Sequence, residues 1–148
     1  MKKARQFHMT LADLVDQLTI DQIKEVLLPG EQAKNYASEI ERLEHDIDLI
    51  INEKQMGLQA ELIRMIVLLA QVNLCVWYNK DKMKEEPDNY MELLRFAQDL
   101  NSLRNYIKNL ILEETREATP ANRKAVFLNY DSDEWYTYII RNITNTST

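Results

Sequence analysis

Two stretches of this chain repeat apolar residues at alternating steps of four and three. Tyr36, Ile40, Leu43, Ile47 and Ile50 form the first, and Phe96, Leu100, Leu103, Ile107 and Leu110 the second. That spacing keeps one stripe of a helix apolar, the seam of a bundle or coiled-coil helix. A strand would alternate every second residue, so the pattern predicts α-helix. The chain has 148 residues but only 2 glycines, Gly30 and Gly57, and 3 prolines. Few turns are written into it, which predicts a small number of long helices in one domain over 1–148.

Read along the chain, 1–9 is expected to be a loose arm. Thr10 reads as an N-cap with Asp13 in the first helical turn. Leu11, Leu14, Val15 and Leu18 make one apolar face, and Thr19-Ile-Asp-Gln22 has capping-box spacing, so 11–28 reads as one helix or two short ones. Pro29-Gly30 closes this region. The second helix is expected over 31–54, with a break at Gly57. The third is expected over 58–82; it is apolar nearly all round between Met65 and Tyr78, the pattern of a central helix covered on several sides. Gln71 and Asn73 inside it need hydrogen-bond partners if buried. The charged stretch 80–88 reads as a loop. The fourth helix is expected over 88–117, long enough to project or to pair with a second subunit. After Pro120, residues 123–141 read as a short helix or a hairpin, and 142–148 as a frayed tail. The fold class is therefore all-α: a bundle of three long helices, a helical N-terminal segment and a short C-terminal appendage, with the second and fourth helices packed around the third.

The net charge of −6 argues against non-specific nucleic-acid binding, which needs cations to neutralise phosphates. The single cysteine, Cys75, lies in an apolar run and reads as an inert thiol, which fits a reducing, cytoplasmic setting. No apolar signal segment follows the basic start. The run from Met65 to Tyr78 falls short of the roughly 20 residues that span a bilayer, so no membrane segment is expected. Asn142-Ile-Thr144 and Asn145-Thr-Ser147 match the glycosylation pattern without a secretion signal to make use of it. Two glycines allow no glycine-rich phosphate loop, and one cysteine with His8 and His45 allows no zinc spacing.

Two polar stripes flank the seams. Glu41, Glu44, His45 and Asp48 share a face of the second helix; such a set either holds magnesium or manganese or forms a solvated acidic face. Asn101, Arg104, Asn105 and Lys108 have the same relative spacing on the fourth helix. Two cations and two amides there either hold the oxygens of an anion or pair with an acidic stripe such as that of the second helix. Trp77, beside Tyr78 and Lys80, either packs at the end of the core helix or stacks on a base.

Glu41-Arg-Leu-Glu44, then Glu61-Leu-Ile-Arg64 and the apolar run after it, resembles the MazG-like all-α nucleoside triphosphate pyrophosphohydrolases over residues 39–74. In that family four acids hold magnesium against a nucleotide's phosphates. The resemblance implies Glu41, Glu44 and Glu61 as metal ligands. Arg64 stands where the family has an aspartate and cannot coordinate a cation, so the fourth acid would have to come from elsewhere, with Asp48 as a candidate. A second pattern, the opening 10–19 with Trp77-x-x-x-Asp81 and Leu100-Asn-x-x-Arg104, is similar to small helical proteins of bacteria and their phages. It draws attention to Trp77, Asn101 and Arg104 and implies no activity.

Three functions are open from the residues. The favoured one is a non-catalytic binding or interaction protein that sequesters a small anionic, nucleotide-like ligand through Asn101, Arg104, Asn105, Lys108 and Trp77, without a cofactor. The second is a magnesium-dependent nucleotide pyrophosphohydrolase. The third is a purely structural protein-interaction module. The two seams also predict a homodimer or higher homo-oligomer.

Overall fold

A computed structural model describes residues 9–127. The loose arm with His8, the helix-or-hairpin alternative beyond Phe127, the frayed tail and both glycosylation patterns lie outside the described residues. Among the described residues there are four α-helices and no strand. They are α1 (Leu11–Leu27), α2 (Gly30–Glu53), α3 (Ala60–Glu85) and α4 (Tyr90–Glu114), with a single 3₁₀ turn at Pro87–Asn89 before α4.

Thr10 caps α1 as its type predicts, its hydroxyl accepting from the Asp13 N–H at 3.2 Å. The helix then runs unbroken through Thr19, so the two-helix alternative does not hold. Thr19 cannot cap a second helix because its hydroxyl is already committed: it donates to the Asp16 carbonyl at 2.8 Å and accepts from Asn73. The Leu28 N–H closes on the Lys24 carbonyl, and the chain turns at Pro29 and Gly30. Gly30 takes φ +61°, a conformation that costs a residue without Cβ little. The seam of α2 then faces inward: Ile40 and Leu43 are buried, and Ile47, Ile50 and Ile51 pack on the core.

α3 runs three residues past its expected end, so most of the charged stretch from Lys80 is helix rather than loop. The loop shrinks to the 3₁₀ turn at Pro87, whose missing N–H suits the first turn of a helix. Buried Asn79 ties this corner, donating to the Leu93 carbonyl at 3.0 Å. In α4 the predicted seam is fully covered at Leu100, Leu103 and Ile107 and half-buried at Phe96 and Leu110; toward the end of the helix Ile111 and Leu112, outside that seam, are the fully covered residues. α4 starts two residues later and ends three earlier than expected, giving 25 residues, about 37 Å.

The helices assemble as two hairpins. α1 packs along α2 and α3 along α4, and α1 is the element that also packs on both α3 and α4. The shared core joins Leu11, Ala12 and Val15 of α1 to Leu62, Leu69 and Val72 of α3 and to the α4 seam. The central position therefore belongs to α1 and not to α3. The expectation that α3 is covered on several sides is not met among the described residues, where one of its sides has no neighbour: Ile63, Val67, Leu74 and Tyr78 are all exposed. By length and composition alone α3 is apolar enough to cross a membrane, which the interrupted run from Met65 to Tyr78 did not suggest. Its partner α4, however, carries Arg95, Asp99, Arg104 and Lys108 along the same length, charges that a hydrocarbon layer excludes.

Candidate functional site

Asp13 and Asp16 lie one helical turn apart on α1, and Arg104 and Lys108 lie one turn apart on α4. Where the two helices meet, these four side chains interlock. Asp16, only 5% exposed, accepts from Arg104 in a side-on pair: Nε at 2.9 Å on Oδ1, and Nη2 on Oδ2. Its Oδ2 also accepts from Lys108 Nζ at 3.2 Å, and its Oδ1 from Asn73 Nδ2 of α3 at 2.9 Å. The same Asn73 amide donates to Thr19 Oγ1 at 2.7 Å. Lys108 reaches Asp13 as well, at 3.0 Å, and Lys124, beyond the end of α4, meets Asp13 at 3.0 Å. Three cations thus enclose two carboxylates, with side chains from α1, α3, α4 and the segment after α4.

The electrostatics follow from this closure. Burial pushes the Asp13 carboxyl up, but the Lys108 and Lys124 ammoniums and the Thr10 hydroxyl outweigh it and bring it from 3.8 down to about 2. Burial opposes ionisation of Asp16 too, and donors from Arg104 and Asn73 reverse that, leaving it lowered. Arg104 is raised by its hydrogen bonds to Asp16 against its own burial.

The basic stripe of α4 is therefore an internal tie. Its partner is the acidic pair on α1, and not the acidic stripe of α2, which stays in solvent. Arg104 and Lys108 are engaged as described. Asn105 donates to the Ala125 carbonyl at 3.1 Å, and Asn109 pairs with both the carbonyl (3.0 Å) and the N–H (2.7 Å) of Lys124. These amides hold the segment after α4 against the helix and so deliver Lys124 to Asp13. Asn101 is exposed, and Trp77 is half-buried. Glu41, Glu44, His45 and Asp48 point into solvent, and Glu61 is exposed on α3. Among the described residues no three His, Cys, Asp or Glu side chains gather into a set that holds a metal. Cys75 is half-buried, and burial raises its thiol against the pull of Lys82.

A second tie centres on Glu117, which is nearly fully buried. Its Oε1 accepts the Leu11 N–H at 2.9 Å, one of the free donors at the start of α1, and the Thr115 hydroxyl at 3.1 Å. Its Oε2 accepts from Lys54 Nζ at 2.9 Å. A third lies between α1 and α2. Asp21 is fully buried and accepts from Gln17 through Oδ1 at 2.8 Å, while its Oδ2 has no hydrogen-bond partner among the described residues. Glu39 of α2 faces it. The hydrogen bond to Asp21, then burial, raises Glu39 against Arg42 and Lys24.

The sequence singles out Arg104 and Lys108, and Asn73 as a polar residue needing a partner, but not Asp16, Lys124 or Glu117. A signal for Asp16 existed: Asp13 and Asp16 repeat on α1 the turn spacing of the two cations on α4. Nothing comparable marks Lys124 or Glu117, whose roles depend on how the chain leaves α4.

Among the described residues, the outer side of α3 is left open. Ala60, Arg64, Val67, Gln71, Leu74, Tyr78, Asp81 and Glu85 are exposed and follow one another at steps of four and three. Ile63 lies beside them, half-exposed, as Val67 and Tyr78 are. This third seam is hidden in the sequence by the apolar residues on the helix's other sides. No family model, curated protein or solved structure matches the chain.

Proposed function

We propose that this protein is a non-catalytic interaction module that works through the outer seam of α3, packed against another helical protein surface. The observation that carries this reading is the contrast between its two kinds of surface. The cations and carboxylates where α1 meets α4 close on one another, whereas among the described residues a seam with coiled-coil spacing stands uncovered along α3. Apolar surface of that length is costly in water and is stabilised by a partner. The lone cysteine fits a reducing compartment such as the cytoplasm.

The anion-sequestering reading would need Arg104 and Lys108 to exchange buried carboxylates for a ligand. The hydrolase reading would need Glu41, Glu44, Asp48 and Glu61 to converge, and they stand apart on exposed surfaces of α2 and α3. Thermal unfolding with inorganic phosphate, a set of nucleotides and magnesium separates these functions. The module reading expects the same Tm throughout and no nucleotide turnover. A nucleotide-dependent rise that Arg104→Ala abolishes would replace it with the sequestering function. Magnesium-dependent turnover lost in Glu41→Gln would replace it with the hydrolase.

A further inference from the structure

We infer that the occupant of the α3 seam is a second copy of this chain, with the two α3 helices antiparallel. The inference rests on the module reading and adds the partner and the register.

Charge selects the orientation. The seam is apolar in the middle, with Arg64 toward its start and Asp81 toward its end, both exposed. Two parallel copies would stack Arg64 on Arg64 and Asp81 on Asp81, placing like charges together at both ends. Turning the second copy around its midpoint, between Val72 and Asn73, sets Arg64 opposite Asp81 of the second copy at both ends. The same turn sets Val67 opposite Tyr78 and Gln71 opposite Leu74. The steps of four and three read the same in both directions along this seam, so every layer finds a counterpart. The two Gln71 side chains then lie in adjacent layers at the centre, each opposite Leu74 of the second copy, so the register is set by the charged ends.

The seams of α2 and α4 do not compete for this role. They are spent inside the fold, with Ile40, Leu43, Leu100, Leu103 and Ile107 buried. The buried core residues of α3, Leu62, Leu69 and Val72, are on its other side, so a partner docks without disturbing the bundle.

Sedimentation equilibrium on the full chain tests the inference. The wild type is expected to be a dimer. Val67→Glu puts an unpaired charge into each copy of the interface and is expected to weaken the dimer by about 100-fold or more. The circular dichroism spectrum should stay unchanged, since Val67 is exposed in the single chain. R64D and D81R should each be largely monomeric alone, because like charges then meet at both ends. Mixed in equal amounts they should restore a dimer, since every end again pairs an acid with a base. A monomeric wild type, a dimer indifferent to Val67→Glu, or a mixture that stays monomeric overturns the inference. If the wild type is monomeric and shows no nucleotide response, the second copy is ruled out while the module reading stands. A nucleotide response overturns the module reading itself, whatever the state of assembly.

Discussion

A carboxylate buried as deeply as Asp16 is stable only if donors meet both its oxygens, and here they come from Asn73, Arg104 and Lys108. Removing the carboxylate leaves Arg104 without its acceptor where three helices meet, and takes one acceptor each from Lys108, which keeps Asp13, and Asn73, which keeps Thr19. Asp16→Ala is expected to cost about 3–5 kcal/mol of unfolding free energy in a urea titration. A loss below about 1 kcal/mol would mean the cluster is solvated. Acid probes the same cluster. Asp13 and Asp16 titrate below their unfolded values, so their contribution is complete above about pH 4 and is lost as pH falls toward 2. Glu39 has the opposite sign: it is raised, so what its proton contributes is present in acid and is lost as pH rises through its folded pKa. Unfolding measured between pH 5 and 2 should show falling stability, and in Lys124→Ala the slope should be shallower, because Asp13 loses one of the ammoniums that lower it. An unchanged slope would disconnect Lys124 from Asp13. At this scale the sequence exposed one half of the cluster. Arg104 and Lys108 stand out as a stripe because neither is apolar, but how deep they lie depends on α1, where Asp13 looks like an ordinary first-turn acid and Asp16 like a solvated one.

Helices were legible in their middles and much less so at their ends, and the reason is backbone conformation. The apolar seams of α2 and α4 are periodic and strong, so their burial could be read directly. Their C-termini close in left-handed turns without glycine. Gln55 has φ 50° and Arg116 φ 59°. After each, the next N–H returns to the helix: Met56 to the Ile51 carbonyl at 3.0 Å, and Glu117 to the Leu112 carbonyl at 2.8 Å. Gly57, which the sequence offers as the break, has an ordinary φ and sits beyond the turn. The turn at Arg116 has a structural consequence, because it carries Glu117 to the start of α1 and Lys54. A side chain in the left-handed region costs roughly 1–2 kcal/mol relative to glycine. Gln55→Gly and Arg116→Gly are therefore each expected to stabilise the fold by about 0.5–1 kcal/mol, after the entropy glycine adds to the unfolded chain. Thermal unfolding of the two variants checks this, and a fall in Tm would show that these positions are not left-handed in solution.

The arrangement of whole helices was the least legible level, because α3 is apolar in nearly every direction and so hides which direction lacks a neighbour. Placing α3 at the centre followed from its composition, yet the centre is α1, a short helix with acids on the face that meets α4. This matters for how stability is distributed. α3 and α4 share the deepest part of the core with the buried face of α1. α2 buries only Ile40 and Leu43, and packs mainly on α1, with Tyr36 against Lys24 and Glu39 against Asp21 in its first half. Segments held by fewer buried apolar contacts open at lower free energy than the core does. Native-state hydrogen exchange should therefore show amides of Leu100–Leu112 exchanging only through global unfolding, while those of 31–39 exchange through a smaller opening that is less sensitive to denaturant. Equal free energies and equal denaturant dependence in both regions would mean that α2 unfolds with the core as one unit. Self-association adds a separate signature. If a second copy covers α3, raising protein concentration slows exchange across 63–78 and leaves 31–39 unchanged, because the first turns of α2 take no part in that interface.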